Sequence, residues 1–208
     1  MRLSAKQAHR YLALFIGLFV VIHFAAHFAA LGGIEAQGSA MQWGRQVYRF
    51  APFEVGLLGA LFAQVAIGIR LLCGLLHQRA RQFWAWVQIL SGTYLAVFIV
   101  MHTSAALLTR WLAGIDTNFY WAAGTLLLEP IRYGFRPYYV LAVSALVGHI
   151  LAALHFRRSR SWHKPALLAG PLAGTLIALA YSGAFYPVAL PQAHIDYFKA
   201  YLMADSPG

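Results

Sequence analysis

The stretch "FIGLFVVIHFAAHFAALGG" (residues 15–33) is an apolar segment that contains two histidines, His23 and His27. A run of about 20 apolar residues is long enough to cross the hydrocarbon core of a bilayer as a helix. Basic residues precede the run, as in a signal peptide, but no small-residue cleavage site ends it. We therefore interpret it as an uncleaved first membrane span.

The whole chain has the composition of an integral membrane protein. Of its 208 residues, 61% are hydrophobic and 11% are charged, and the mean hydropathy is +0.62. A soluble domain has about 25% charged residues. The single cysteine, Cys73, excludes an intrachain disulfide and a cysteine-based metal cage. The net charge of +10 comes from basic residues at the ends of apolar segments, so it indicates topology and contact with anionic lipid rather than nucleic-acid binding.

Hydrophobic windows of membrane-spanning length occur at five places, and they cover about 11–31, 54–76, 84–109, 137–156 and 166–188. Alternation with a period of two residues is absent, which argues against a barrel. The sequence predicts an all-α fold, an integral membrane bundle of five transmembrane helices that forms a single domain over residues 1–208. The long connection from Arg110 to Arg136 is partly apolar, and we expect it to lie along the membrane interface.

The distribution of basic residues predicts the orientation of the bundle. Basic residues without acidic neighbours occupy the N-terminus and the second and fourth loops: Arg2, Lys6, Arg10, Arg79, Arg81, Arg157, Arg158, Arg160 and Lys164. The first and third loops mix basic with acidic residues. The positive-inside rule therefore predicts a cytoplasmic N-terminus and a periplasmic C-terminus.

Four of the nine histidines lie inside predicted spans, where an ionisable group is costly and a functional role is the first hypothesis. His23 lies about 14 Å from the outer end of the first span, and His102 lies about 12 Å from the outer end of the third, at 1.5 Å per residue. The two histidines therefore share a depth, whereas His149 lies toward the cytoplasm. The remaining histidines lie near span ends or outside the spans, and most of them are predicted to be interfacial and solvated: His9, His77, His155, His163 and His194.

Two imidazoles at one depth on different helices suit bis-histidine ligation of a planar macrocycle, because haem iron takes imidazole on both axial faces and helix bundles can enclose such a cofactor. Zinc needs four ligands, and no carboxylate or cysteine is at hand. Nearby small residues would let a flat ring approach the helices: Gly17, Ala25, Ala26, Gly92 and Ala96. The alternative is that these histidines hydrogen-bond across helices as packing groups. Spacing alone leaves both interpretations open.

The third apolar segment, "WVQILSGTYLAVFIVMH" (residues 86–102), resembles a helix of the cytochrome b membrane subunit of succinate:quinone oxidoreductases. In the single-chain, five-helix, dihaem fumarate reductase type, a Trp-x-Gln-x-x-Ser/Thr-Gly motif precedes a haem histidine by ten residues. Trp86, Gln88, Ser91, Gly92 and His102 fit that motif. The resemblance extends over nearly the whole chain, through "FIGLFVVIH" (15–23), a proline at 137 twelve residues before a histidine at 149, and the tail "YSGAFYPVALPQAHIDYF" (181–198).

The resemblance implies an outer haem b whose iron is bound by His23 and His102. It also implies an inner haem held by His149 and a histidine of the second helix, in a His-x-x-x-small-x-Arg pattern. Here that pattern reads "QVAIGIR", with Gln64 at the histidine position and Arg70 at its end. An amide is a poor iron ligand, so we expect a five-coordinate haem on His149, an empty cavity or a quinone pocket there. The family's acidic residue two positions before the helix-4 ligand is also replaced, by Val147.

The resemblance further implies a non-catalytic electron-transfer subunit in the bacterial inner membrane. Flavoprotein and iron–sulfur subunits would dock on its cytoplasmic side, and quinone would exchange electrons with it. Candidate hydrogen-bond donors to quinone are Arg70, Gln64, His27 and Tyr94. For His27, which lies one turn from His23 on the same side of the helix, packing within the bundle is favoured over a bond to quinone or a haem propionate.

Two other classes of protein remain as alternatives. The first is a haemless membrane anchor or assembly protein of the same fold, which the glutamine at position 64 favours and the retained histidines at 23 and 102 argue against. The second is a transporter that relays protons through buried histidines. The sequence contains no repeat between its halves and no pair of broken spans, so this alternative ranks last.

Overall fold

The structure, a computed structural model, describes residues 3–77 and 82–204. Arg2, Arg79 and Arg81, on which part of the predicted orientation rests, lie outside the described residues. The described residues form helices and contain no strand. The helices are α1 (Ala5–Ala29), α2 (Ile34–Tyr48), α3 (Ala51–Leu76), α4 (Phe83–Trp111), α5 (Phe119–Leu127), α6 (Arg132–Arg157), α7 (His163–Ala166), α8 (Ala169–Tyr181) and α9 (Gln192–Ala204).

Five segments of the described chain are long and apolar enough to cross a membrane. They are α1 with the short 3₁₀ turn that follows it, α3, α4, α6 and the segment His163–Tyr181, which contains α7 and α8. Large apolar side chains point away from the bundle, among them Leu14, Phe62 and Val55. The protein is therefore a multi-pass membrane protein with an all-α fold, which confirms the predicted fold class.

The first helix begins earlier than the apolar run suggests. Ser4 and Gln7 form a capping box: the Ser4 hydroxyl accepts from the Gln7 backbone N–H, and the Gln7 side chain accepts from the Ser4 backbone N–H. The helix therefore starts at Ala5 rather than near residue 11, and it includes His9. At its other end Gly33, with φ of +117°, turns the chain into α2.

The fifth span ends at Tyr181, whereas the hydrophobic window predicted an end near residue 188. The chain turns directly after the helix, at Gly183, whose φ is +75°. Pro187 then follows in a part of the chain that has no regular secondary structure. Residues 182–188 are apolar enough to extend the window, but this glycine and proline end the helix.

The long connections contain helices that pack onto the spans. In the segment from Arg110 to Arg136, α5 contributes Phe119 to the largest buried cluster, where its ring stacks on Tyr181 with 4.6 Å between ring centroids. The hydroxyl of Tyr186 donates to the carbonyl of Ala30 at 2.5 Å and ties the chain after α8 to the end of α1. One end of the bundle is thus capped by α2, α5 and the chain that follows α8.

Ion pairs join the connections at this capped end. Arg45 of α2 donates two hydrogen bonds to Asp116, at 3.1 and 2.7 Å, and Arg49 lies 3.7 Å from the same carboxylate. Arg110, at the end of α4, pairs with Glu54 at the start of α3. The mixture of acidic and basic residues in these two loops therefore forms specific contacts within the protein.

Candidate functional site

The structure brings His23 of α1 and His102 of α4 together inside the bundle, and we call these two residues the outer pair. Their ring centroids are 6.1 Å apart and the rings are inclined at 68°. An aromatic ring stacks on each: Phe19 lies 5.2 Å from His23, and Phe98 lies 5.0 Å from His102 with 10° between the planes. The two imidazoles are therefore held in fixed orientations by side chains of their own helices.

The separation of the outer pair fits two axial ligands of one metal ion. A metal–imidazole nitrogen bond is about 2 Å long, so two nitrogens on opposite sides of the metal lie about 4 Å apart. Each ring centroid lies about 1 Å beyond its nitrogen, which gives ~6 Å between centroids. The observed 6.1 Å is compatible with this value, and it also lies within the range of ordinary edge-to-face packing between rings.

His27 connects the outer pair to the last span. Its Nε2 lies 3.1 Å from Nε2 of His23, and its Nδ1 lies 2.9 Å from the hydroxyl of Tyr181. The second contact is the bond across the bundle that the packing interpretation of His27 predicts. The first contact involves Nε2 of His23, the nitrogen that would bind a metal. Metal binding by His23 would therefore break its contact with His27.

An unpaired donor lies beside the outer pair. The indole Nε1 of Trp121, on α5, is buried and has no hydrogen-bond partner, and its ring lies 6.2 Å from His102. A buried N–H without an acceptor costs free energy unless a ligand satisfies it. The carboxylates of a haem or the carbonyl of a quinone are acceptors of the required kind.

The half of the bundle nearer the start of α1 contains a second pair of neighbouring histidines, His9 of α1 and His149 of α6, which we call the inner pair. Their ring centroids are 6.4 Å apart and the rings are inclined at 72°. His149 was a predicted site residue. His9 was predicted to be solvated, and this prediction was wrong, because the capping box extends α1 and carries His9 into the bundle.

The side chains around the inner pair come from α3 and α4. Gln64 lies 3.2 Å from His9, measured between the two Nε2 atoms, and the Ser91 hydroxyl lies 3.2 Å from Nδ1 of His149. Gly92, expected beside the outer pair, instead lies against His149, and a Cβ at Gly17 would meet no atom within 4 Å. The signal for His9 was its position fourteen residues before His23, two heptads away on nearly the same helix face.

The other candidate quinone donors are not gathered at one place. Tyr94 donates its hydroxyl to the backbone carbonyl of Tyr138 at 2.8 Å. Arg70 is exposed on α3. Because Gln64 is engaged with His9, Arg70 remains the candidate whose polar group has no partner within the described chain.

Three further histidines, which lie outside the two pairs, differ in burial and in contacts. His163 and His194 are buried, with exposures of 2% and 7%, so the prediction that they are solvated was wrong. His163 lies 3.3 Å from His155, measured between their Nδ1 atoms, and Trp84 stacks on His155 at 4.5 Å. These contacts pack the α6–α7 connection against the start of α4.

Among the described residues, no group of three or more histidine, cysteine, aspartate or glutamate side chains is arranged to hold a metal ion. The two histidine pairs thus offer two protein ligands each. No protein-family model, curated protein or solved structure is significantly similar to the chain.

Proposed function

We propose that this chain is a haem b-binding membrane anchor subunit of the bacterial inner membrane. It carries electrons between a cytoplasmic flavin- and iron–sulfur-containing dehydrogenase of the succinate/fumarate type and membrane quinone. The observation that supports this proposal most directly is the outer pair, two imidazoles from separate spans with 6.1 Å between their centroids. Two protein ligands suffice for an iron whose other four positions are filled by a tetrapyrrole.

His23 and His102 would hold the iron, and haem b supplies a one-electron redox centre when bound. Phe19 and Phe98 stack on the two imidazoles and keep their planes fixed. Their apolar rings also limit the access of water, which tunes the potential of a redox group. His27 and the Trp121 N–H are polar groups beside the outer pair that would bond to the edge of the cofactor.

The partners follow from the charge of the chain and from the motif resemblance. The predicted cytoplasmic loops are basic, so they suit a soluble partner with an acidic face as well as anionic lipid headgroups. The resemblance supplies the class of that partner, a flavoprotein and an iron–sulfur protein. Arg70 on the cytoplasmic half of α3 is the proposed donor to a quinone carbonyl, because it is exposed and charged.

The proposal is tested by the absorption spectrum of the protein purified from haem-replete cells. We expect a low-spin b-type spectrum, and His23→Ala and His102→Ala should each remove the contribution of the outer pair or convert it to a high-spin form. His77→Ala is the matched control, because His77 is exposed at the end of α3 and touches neither pair. Loss of the same spectral contribution in both site variants, with its retention in the control, supports the proposal, and a colourless wild-type protein refutes it.

A haemless anchor or assembly protein is the second candidate. The observation that favours it is the hydrogen-bonded series Tyr181, His27 and His23, in which polar groups of α1 and α8 satisfy one another without a cofactor. Such interhelical bonds are typical of packing in membrane bundles. This candidate predicts that His23→Ala lowers stability while the wild-type protein has no visible absorption.

A further inference from the structure

We infer that the inner pair, His9 and His149, is a second axial ligand pair for haem iron, in which His9 of the first span takes the position that Gln64 on α3 cannot fill. The inference deepens the proposed function and rests on it. It assigns the role of iron ligand to His9, a residue that the resemblance does not include. The inner site that the resemblance implies takes its histidines from the second and fourth spans.

The two pairs have nearly the same geometry. The inner pair has 6.4 Å between ring centroids and an angle of 72°, and the outer pair has 6.1 Å and 68°. Both distances lie near the ~6 Å required by two axial imidazoles of one metal. Each pair joins a residue of α1 to a residue of another span, so the chain repeats one arrangement at two depths.

The contact between His149 and Ser91 can fix the tautomer that a metal ligand needs. Nδ1 of His149 lies 3.2 Å from the Ser91 hydroxyl, which can accept the Nδ1–H. The proton then resides on Nδ1, and Nε2 keeps its lone pair for a metal. A hydrogen bond to the second ring nitrogen is the usual way in which proteins fix the tautomer and direction of a ligating histidine.

Gln64 can fix the tautomer of His9, but through the opposite ring nitrogen. Nε2 of His9 contacts the Gln64 amide at 3.2 Å, and Nδ1 of His9 is buried with no hydrogen-bond partner. Gln64 also has an unpaired buried oxygen, Oε1. A 180° turn of the amide, whose two ends are interchangeable in shape, lets Oε1 accept the Nε2–H. Nδ1 of His9 then keeps its lone pair and has no other group to bind.

Two glycines make room for these rings. A Cβ at Gly92 would lie 3.2 Å from Cε1 of His149, and a Cβ at Gly68 would lie 3.4 Å from Cε1 of His9. Each imidazole therefore lies directly against the backbone of a neighbouring helix, Gly68 on α3 and Gly92 on α4. The inner pair thus lies among α1, α3, α4 and α6, and both of its side chains are partly buried.

The class of ligand follows from the number of donors. Zinc takes four protein or water ligands in tetrahedral geometry, and no group of three candidate side chains is present in the described chain. A tetrapyrrole supplies four equatorial nitrogens and leaves two axial positions, which matches two histidines. His9 and His23 are separated by about 21 Å along α1, at 1.5 Å per residue, so two macrocycles are well separated.

The experiment measures haem per polypeptide in the purified full-length chain, by pyridine haemochromogen assay against quantitative amino-acid analysis, together with a redox titration followed by absorbance. We expect about two haems per chain in the wild type, from one site per histidine pair. His9→Ala and His149→Ala should each remove one haem and the same redox component. His77→Ala, at an exposed position outside both pairs, should remove neither.

The outcomes separate this inference from the proposed function. One haem per chain that depends on His23 and His102 alone leaves the proposed function standing and refutes the inner pair. Two haems that both persist in His9→Ala also refute it, because the second ligand then lies elsewhere. No haem in the wild type refutes the proposed function itself. If His9→Ala does not accumulate in the membrane, His9→Gln, which keeps a polar side chain but offers only a poor iron ligand, takes its place, and two haems in that variant refute the inference.

Gln64 is assigned as a positioning residue for His9, and its test uses the redox potential. Gln64→Glu places a carboxylate against Nε2 of His9, which makes the imidazole a stronger donor and should lower the midpoint potential of the His9-dependent component only. Gln64→Leu removes the hydrogen bond and should reduce occupancy of that site. Equal shifts of both components, or none in either, would overturn this assignment.

Discussion

The hydroxyl of Tyr181 lies 2.9 Å from Nδ1 of His27 and thereby joins the last membrane span to the first. Tyr181 is 2% exposed, and its ring stacks on Phe119 at 4.6 Å. One side chain therefore links α1, α5 and α8 at the depth of the outer pair. The polar contact and the apolar stack can be separated by mutation, because phenylalanine keeps the ring and removes the hydroxyl.

Tyr181→Phe should destabilise the protein by about 0.6–1.7 kcal/mol, the range measured for hydrogen bonds between membrane helices. The cause is the unpaired Nδ1 of His27. Thermal unfolding in detergent measures the effect. Tyr11→Phe is the matched control, because Tyr11 is 58% exposed on the outer face of α1. Equal losses in the two variants would show that the hydroxyl bond contributes nothing specific.

The two ion pairs at the capped end should differ in strength. Arg110 and Glu54 are each 22% exposed, whereas Asp116 is 46% exposed beside Arg45. Glu54→Gln should cost about 1.5–3 kcal/mol, because it leaves a partly buried guanidinium without its counter-charge. Asp116→Asn should cost about 1 kcal/mol or less, because water solvates the exposed carboxylate, even though its partner Arg45 is 17% exposed. Added salt should reduce this effect further. The reverse order in thermal unfolding would contradict this ranking.

Tyr186 should make stability depend on pH in the alkaline range. Burial raises its pKa above the usual value, and the nearby Glu35 carboxylate raises the pKa further. The folded state then holds the phenolic proton more tightly than the unfolded state. This contribution is complete below about pH 10, the pKa of an unfolded tyrosine, and is lost as pH rises through the folded pKa.

The measurement is unfolding at a series of pH values, with tyrosinate absorbance recorded in parallel. Tyr186→Phe should flatten the loss of stability above about pH 10 and remove a late component of the absorbance titration. It should also weaken the tie between the end of α1 and the chain after α8, since the hydroxyl donates to Ala30. An unchanged alkaline titration would show that Tyr186 does not carry this component.

Hydropathy was sufficient to predict the spans, because burial in lipid requires about 20 consecutive apolar residues, and the five windows coincide with five helices. It could not predict where those helices end. The start of α1 depends on a local contact between Ser4 and Gln7, and the end of α8 depends on the turn at Gly183. Both are set by hydrogen bonding and backbone conformation, to which an average over a window is insensitive.

The outer pair was predictable because equal depth on two helices follows from residue counting along each helix. The inner pair was not, since His9 precedes the apolar run and its entry into the bundle depends on the extended start of α1. Whether two residues on different helices touch also depends on how each helix is rotated about its own axis. Counting residues along a helix gives depth but not this rotation. The contact between Gln64 and His9 depends on such a rotation. The sequence shows that Gln64 stands where the motif has a histidine, and only the packing of the helices shows that Gln64 contacts His9.

The approach of α8 to α6 depends on two glycines one helical turn apart. A Cβ at Gly170 would lie 2.7 Å from the Cα of Ser144, and a Cβ at Gly174 would lie 3.0 Å from the Cα of Val140. Both obstacles are backbone atoms and cannot rotate away. Small residues at this spacing allow membrane helices to pack closely.

Gly170→Ala should therefore push α8 away from α6 and cost about 1–3 kcal/mol, the usual range for overpacking. Gly59→Ala on α3 is the control, because its Cβ would meet no atom within 4 Å and alanine favours the helix. Thermal unfolding in detergent should show a lower transition temperature for the first variant and an equal or higher one for the second. A Gly170→Ala protein as stable as the wild type would mean that α8 and α6 do not touch at this position.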